Sequence, residues 1–106
     1  MRAATKRARG RSIRRRARLP ESAELRFNEG NALLALGRGA EAMEAFRAAV
    51  QLRPEYGEAH YNLGVALSGA GHYAAALAEF ETALRLAPGD ESARRNAAAL
   101  RAYLGK

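Results

Sequence analysis

Few residues in this chain have the types and spacing that reaction chemistry needs. Its two histidines, His60 and His72, lie twelve positions apart, and there is no cysteine. A zinc site needs three or four nitrogen, sulfur or carboxylate ligands at set spacings, and these two side chains do not begin one. His72 reads as a turn residue and His60 as a partly buried helix residue. The acidic pairs Glu41/Glu44 and Glu79/Glu81 fall on helix faces, where solvated charge accounts for them. Neither a phosphate-binding glycine loop nor a nucleophile with its base occurs. No catalytic residue, cofactor or metal is therefore expected. The densest functional groups are guanidinium groups near the N-terminus, and their chemistry is attraction to anions.

The formal charge of +7 is unevenly placed. Residues 1–20 hold nine basic groups and no acid, whereas residues 21–106 hold nine basic and eleven acidic groups, so 9 − 11 leaves the larger part at −2. The basicity belongs to an arm. Residues 1–19 contain only Ile13 and Leu19 as clear large apolar residues. Such a segment cannot offset its conformational entropy by burial, so disorder is expected when it is alone. A positive start without an apolar stretch after it is not a secretory signal. Three readings of the arm stand side by side. It is a solvated tail or upstream sequence, an electrostatic contact for nucleic acid, or a contact for an anionic membrane surface. The candidate polyanion contacts are Arg7, Arg9, Arg11, Arg14, Arg15, Arg16 and Arg18. No aromatic residue is interleaved among them to stack on bases.

The remainder of the chain repeats. Pro20, Pro54 and Pro88 are spaced by 34, and a 34-residue shift aligns 12 identities between residues 23–56 and 57–90 without a gap. The matches fall on small, turn and core residues, among them Gly30/Gly64, Gly37/Gly71, Ala42/Ala76, Phe46/Phe80, Ala49/Ala83 and Leu52/Leu86. Apolar residues recur with the helical period. Helices are expected over about Ser22–Leu36, Ala40–Leu52, Tyr56–Ala70, Tyr73–Leu86 and Glu91–Leu104. Leu25, Ala32, Leu33 and Leu36 make the apolar stripe of the first, and Ala59, Leu63, Ala66 and Leu67 that of the third. Gly37 stands where a left-handed helix cap wants glycine, Pro54 ends the second helix, and Asp90 suits an N-cap. The fifth helix, with Ala93, Ala97, Leu100 and Leu104 on one side and arginines on the other, reads as a cap for the end of a stack.

This period, with its fixed small residues and terminal prolines, resembles the tetratricopeptide repeat (TPR). Leu63, Gly64, Leu67, Ala76, Phe80, Ala83 and Pro88 carry the likeness in the second copy, and Gly30, Leu33, Ala42, Phe46, Ala49 and Pro54 in the first. The resemblance implies an all-α fold of five helices, antiparallel hairpins stacked as a short right-handed solenoid: repeats over about 23–56 and 57–90 and a capping helix over 91–104. It also implies a binding module, not an enzyme, with the first helix of each repeat lining a concave groove that takes a peptide segment of another protein. By position the groove residues are Phe27, Asn28, Asn31 and Leu34 from the first copy, Glu58, Tyr61, Asn62 and Val65 from the second, and Arg95 and Tyr103 from the cap. Phe27 and Tyr61 are expected to serve as apolar anchors along the groove. Some family members hold an acidic chaperone tail in a carboxylate clamp. Asn31 and Asn62 match two clamp asparagines, but Phe27, Ser92 and Asn96 stand where its cations belong.

The expected function is thus a peptide-binding interaction scaffold. The alternative is a nucleic-acid-associated protein whose arm binds while its repeats recruit a partner. Two copies and a cap are short of the three repeats such stacks usually need, so self-association or a bound partner would add stability. No run is long enough to span a bilayer, and a cytoplasmic location is expected. Abundant Ala and Arg, with only Lys6 and Lys106, point to a GC-rich, bacterial genome.

Overall fold

A computed structural model describes residues 21–105 of the chain. Five helices run through them: α1 over Ala23–Ala35, α2 over Gly39–Leu52, α3 over Gly57–Gly69, α4 over Tyr73–Leu86 and α5 over Glu91–Leu104. No strand occurs among the described residues. The helix starts repeat the sequence period, since 57 − 23, 91 − 57 and 73 − 39 all equal 34. Each hairpin, α1 with α2 and α3 with α4, is its own closest packing partner, and α2–α3 and α4–α5 contacts join the hairpins into a stack.

Local chemistry sets the helix ends. The Ser22 hydroxyl accepts from Leu25 N at 3.3 Å and caps α1 from just outside it, and Asp90 Oδ1, the N-cap expected from the sequence, accepts from Ala93 N at 3.1 Å to open α5. At the first hairpin turn Gly37 has φ +79°, and Gly71 has φ +88° at the second. Around them Arg38 N reaches back to Leu33 O and His72 N to Leu67 O, both at 2.9 Å. This six-residue closure satisfies the carbonyls at the helix end and requires the left-handed conformation that glycine adopts without strain.

The core is apolar throughout: no polar or charged side chain is buried among the described residues. Phe46 and Phe80 are its largest members, at 0% and 2% exposure, and burying each ring contributes roughly 1.5–3 kcal/mol. They fit because α1 and α3 carry glycine opposite them. A Cβ at Gly30 would come within 2.5 Å of the Phe46 ring, and one at Gly64 within 2.9 Å of Phe80. The contact at these glycines is thus between helix backbone and aromatic ring.

One expected face is corrected. Leu25 and Leu36 of the predicted α1 stripe are 49% and 69% exposed, and Ala32 is exposed too. Instead α1 turns Ala23 and Gly30 inward, with Phe27, Leu33 and Leu34 half-buried against the core. The register gives the reason. Leu25 and Ala32 correspond to Ala59 and Ala66, which α3, packed between α2 and α4, buries at 0% and 4%. Among the described residues, α1 has no preceding hairpin to receive that face.

Candidate peptide-binding face

The first helices of the repeats, α1 and α3, together with the N-cap of α5, surround an open depression of about 340 Å³ lined by Phe27, Glu58, Tyr61, Asn62 and Asp90. Four of these, Phe27 from α1 and Glu58, Tyr61 and Asn62 from α3, are expected groove residues, and Asp90 at the start of α5 joins them. The aromatic pair holds its place by packing inward. Phe27 lies 6.0 Å from the Phe46 ring and 5.0 Å from Tyr56, and Tyr61 meets Phe80 edge-on at 5.3 Å. Each is half-buried, so one side of the ring belongs to the core and the other borders the depression.

Polar contacts across the helices fix the floor. Asn62 Nδ2 donates to Asn31 Oδ1 at 2.7 Å, tying α3 to α1. Asn96 Nδ2 donates to the Tyr61 hydroxyl at 3.1 Å, tying α5 to α3. The asparagine amides are thus already partly engaged within the chain. Asn62 keeps its carbonyl oxygen and a second Nδ2–H, and Tyr61 keeps its hydroxyl hydrogen, as free capacity. Asn28, Asn62 and Asn96 occupy one column at the repeat spacing, and Asn28 is exposed.

The other expected residues divide. Leu34 and Val65 are half-buried and pack on the core cluster. Arg95 is exposed on α5. Tyr103 is 72% exposed and packs edge-on against Tyr73, 5.0 Å between centroids, at the start of α4. The repeat register makes Tyr103 the counterpart of Gly69, two turns beyond the position of Tyr61, which is why it is apart from the depression. Arg7, Arg9, Arg11, Arg14, Arg15, Arg16 and Arg18 lie outside the described residues.

Three features escaped the sequence reading. His60 is pinned on both ring nitrogens, with Nε2 2.7 Å from Pro54 O and Nδ1 2.7 Å from Glu79 Oε1, so it ties α3 to the loop before it and to α4. Its counterpart Arg94 makes the equivalent link, donating to Pro88 O at 2.6 Å. Beside the depression, Arg53 pairs with Glu24 at 3.3 Å and lies 4.4 Å above the Tyr56 ring. Burial raises the Tyr56 phenol above its ordinary range; Arg53 opposes this, while Glu24 and Glu58 add to it. The signal for that cluster was available in the register, where Arg53 has no basic counterpart in the second copy. A second depression, of about 290 Å³, lies between α4 and α5 over Leu77 and Leu104 and is crossed by the Arg101–Glu81 ion pair at 3.0 Å. Among the described residues there is no group of three or more side chains able to hold a metal, and no helix is long and apolar enough to cross a membrane.

Stacked helical hairpins of this period define a class of helical-repeat proteins. The Tetratricopeptide repeat family model matches residues 2–57 and 27–91. The chain belongs to the tetratricopeptide repeat family. Among solved structures, MamA shares 25% identity at a TM-score of 0.76 over 79% of this chain and 49% of its own. YrrB, described as a TPR protein with an unusual peptide-binding site, shares 28% identity at a TM-score of 0.75 over 81% of this chain and 44% of its own. This chain therefore spans about half the length of those two. The first TPR of Spaghetti (RPAP3), solved bound to the HSP90 peptide SRMEEVD, shares 24% identity at a TM-score of 0.76, covering 80% of this chain and 68% of its own, and shows likeness of fold alone. No curated protein matches the sequence.

Proposed function

We propose that this chain is a protein–protein interaction module that binds a peptide segment of a partner across α1, α3 and the start of α5. The observation that carries this reading is the convergence of Phe27, Tyr61 and Asn62 on one open depression, with the Asn31–Asn62 and Tyr61–Asn96 bonds holding the helices in register. Preorganisation of this kind lowers the ordering cost of binding. Half-exposed aromatics supply apolar contact, and amides with spare hydrogen-bonding capacity suit an extended backbone. The peptide-binding description of YrrB, a structural neighbour, supports the same reading. An acidic tail is a poor occupant, because Glu58 and Asp90 border the depression and like charges there repel.

Selection of a displayed peptide library against the full chain tests this. The selected peptide should bind Asn62→Ala about threefold to tenfold more weakly, the range of one or two lost hydrogen bonds, with the helical circular dichroism unchanged. Equal binding by that variant would remove the face from the function.

A further inference from the structure

The two copies of the repeat treat one position differently, and the difference identifies a ligand group. Shifted back by 34 residues, Glu58, Tyr61, Asn62 and Asp90 of the depression become Glu24, Phe27, Asn28 and Tyr56. In the first copy this slot is filled from within: the Arg53 guanidinium pairs with Glu24 at 3.3 Å and stacks 4.4 Å from the Tyr56 centroid. The counterpart of Arg53 is Ala87. The two share a backbone conformation, φ −140° with ψ 90° at Arg53 and φ −140° with ψ 84° at Ala87. The second copy thus keeps the launching point and the acceptor but lacks the guanidinium. The Glu58 carboxylate has no hydrogen bond or ion pair among the described residues. Where the first copy has Tyr56 the second has Asp90, a further carboxylate, of which only Oδ1 is engaged by the helix cap.

We infer that the second-copy slot receives the guanidinium of an arginine in a partner peptide, with Glu58 pairing to it as Glu24 pairs to Arg53. This assignment rests on the peptide-binding reading above and specifies its ligand. The chemistry of the lining agrees: carboxylates at Glu58 and Asp90, the Asn62 carbonyl, and the Phe27 and Tyr61 rings are all acceptors or π faces. A planar fork of N–H donors satisfies such a set better than an ammonium point charge. No lining residue carries a positive charge to compete.

The test is a titration of N-acetyl-argininamide into the full chain, read by the amide shifts of Glu58, Tyr61, Asn62 and Asp90. Saturable shifts are expected, weakening as salt rises. N-acetyl-citrullinamide, of the same shape without charge, should leave these amides unmoved. Glu58→Gln should weaken binding about threefold to tenfold. Asp90→Asn keeps a good N-cap residue and should weaken it by about twofold to threefold. Ala87→Arg should abolish it by filling the slot from within, with the helical signal intact. An equal response to citrullinamide, or undiminished binding in Glu58→Gln, overturns the assignment. The arginines of the chain's own N-terminus are a second source. If replacing Arg14, Arg15, Arg16 and Arg18 by glutamine in the full chain moves the slot amides before any probe is added, the occupant is not a partner and the proposal falls; unmoved amides support it. A selected peptide that needs Asn62 yet binds Glu58→Gln undiminished overturns the arginine assignment and leaves the groove reading standing. Failure to select any peptide overturns the groove reading itself.

Discussion

Gly64 has no room for even one methyl group. Its Cβ would stand 2.9 Å from the Phe80 ring, and Phe80, 2% exposed, cannot swing aside. Gly64→Ala should therefore cost about 1–3 kcal/mol through overpacking, against the roughly 1 kcal/mol that alanine otherwise gains in a helix. Gly69 on the same helix meets nothing within 4 Å, so Gly69→Ala should be neutral or stabilising by up to about 1 kcal/mol. Chemical denaturation of the pair checks both signs; equal effects would mean that the Phe80 contact does not constrain the helix. The glycines were legible in the sequence as small residues at a repeat spacing. What they make room for was not, because a spacing of 16 between Gly64 and Phe80 names no contact until the hairpin folds. The same holds for Arg53, whose stacking on Tyr56 depends on the loop between two helices.

Among the elements, α3 and α5 present the apolar faces that their periodicity predicts, and α1 does not. Periodicity reports which residues could share a face, while burial depends on whether another helix covers that face. In α3, which packs between α2 and α4, the face holding Ala59, Leu63 and Ala66 is buried; in α1 the same columns hold Leu25, Glu29 and Ala32 at the surface. Two leucines then make a sharp contrast. Leu63, 2% exposed, should lose about 2–5 kcal/mol on truncation to alanine, whereas Leu36, 69% exposed, should change stability by under about 0.5 kcal/mol when replaced by glutamine. A thermal shift in Leu36→Gln as large as that in Leu63→Ala would contradict the packing described for α1. The turns give a parallel test: Gly71, at φ +88°, should cost about 1–2 kcal/mol as alanine, measured by the same melting curves.

At the scale of the whole stack, stability is a sum over neighbours. Among the described residues the second hairpin is flanked on both sides, by α2 and by α5, while α1 and α5 are the outermost helices. Hydrogen exchange should accordingly be slowest in α3 and α4 and faster in α1 and α5; uniform protection would indicate a single cooperative unit. The fold was legible because a 34-residue repeat states its own architecture. The site was legible only by column, since the register says which residues share a row of the groove but not that Asn31 takes the Asn62 amide or that Arg53 fills one slot and leaves its counterpart open. The central claim is that the first-helix face receives the peptide. Its most direct measurement is the amide shift map of the full chain bound to a library-selected peptide. The account predicts changes centred on Phe27, Asn28, Glu58, Tyr61 and Asn62. Changes confined to the exposed faces of α2 and α4, around Arg47 and Arg85, would contradict it.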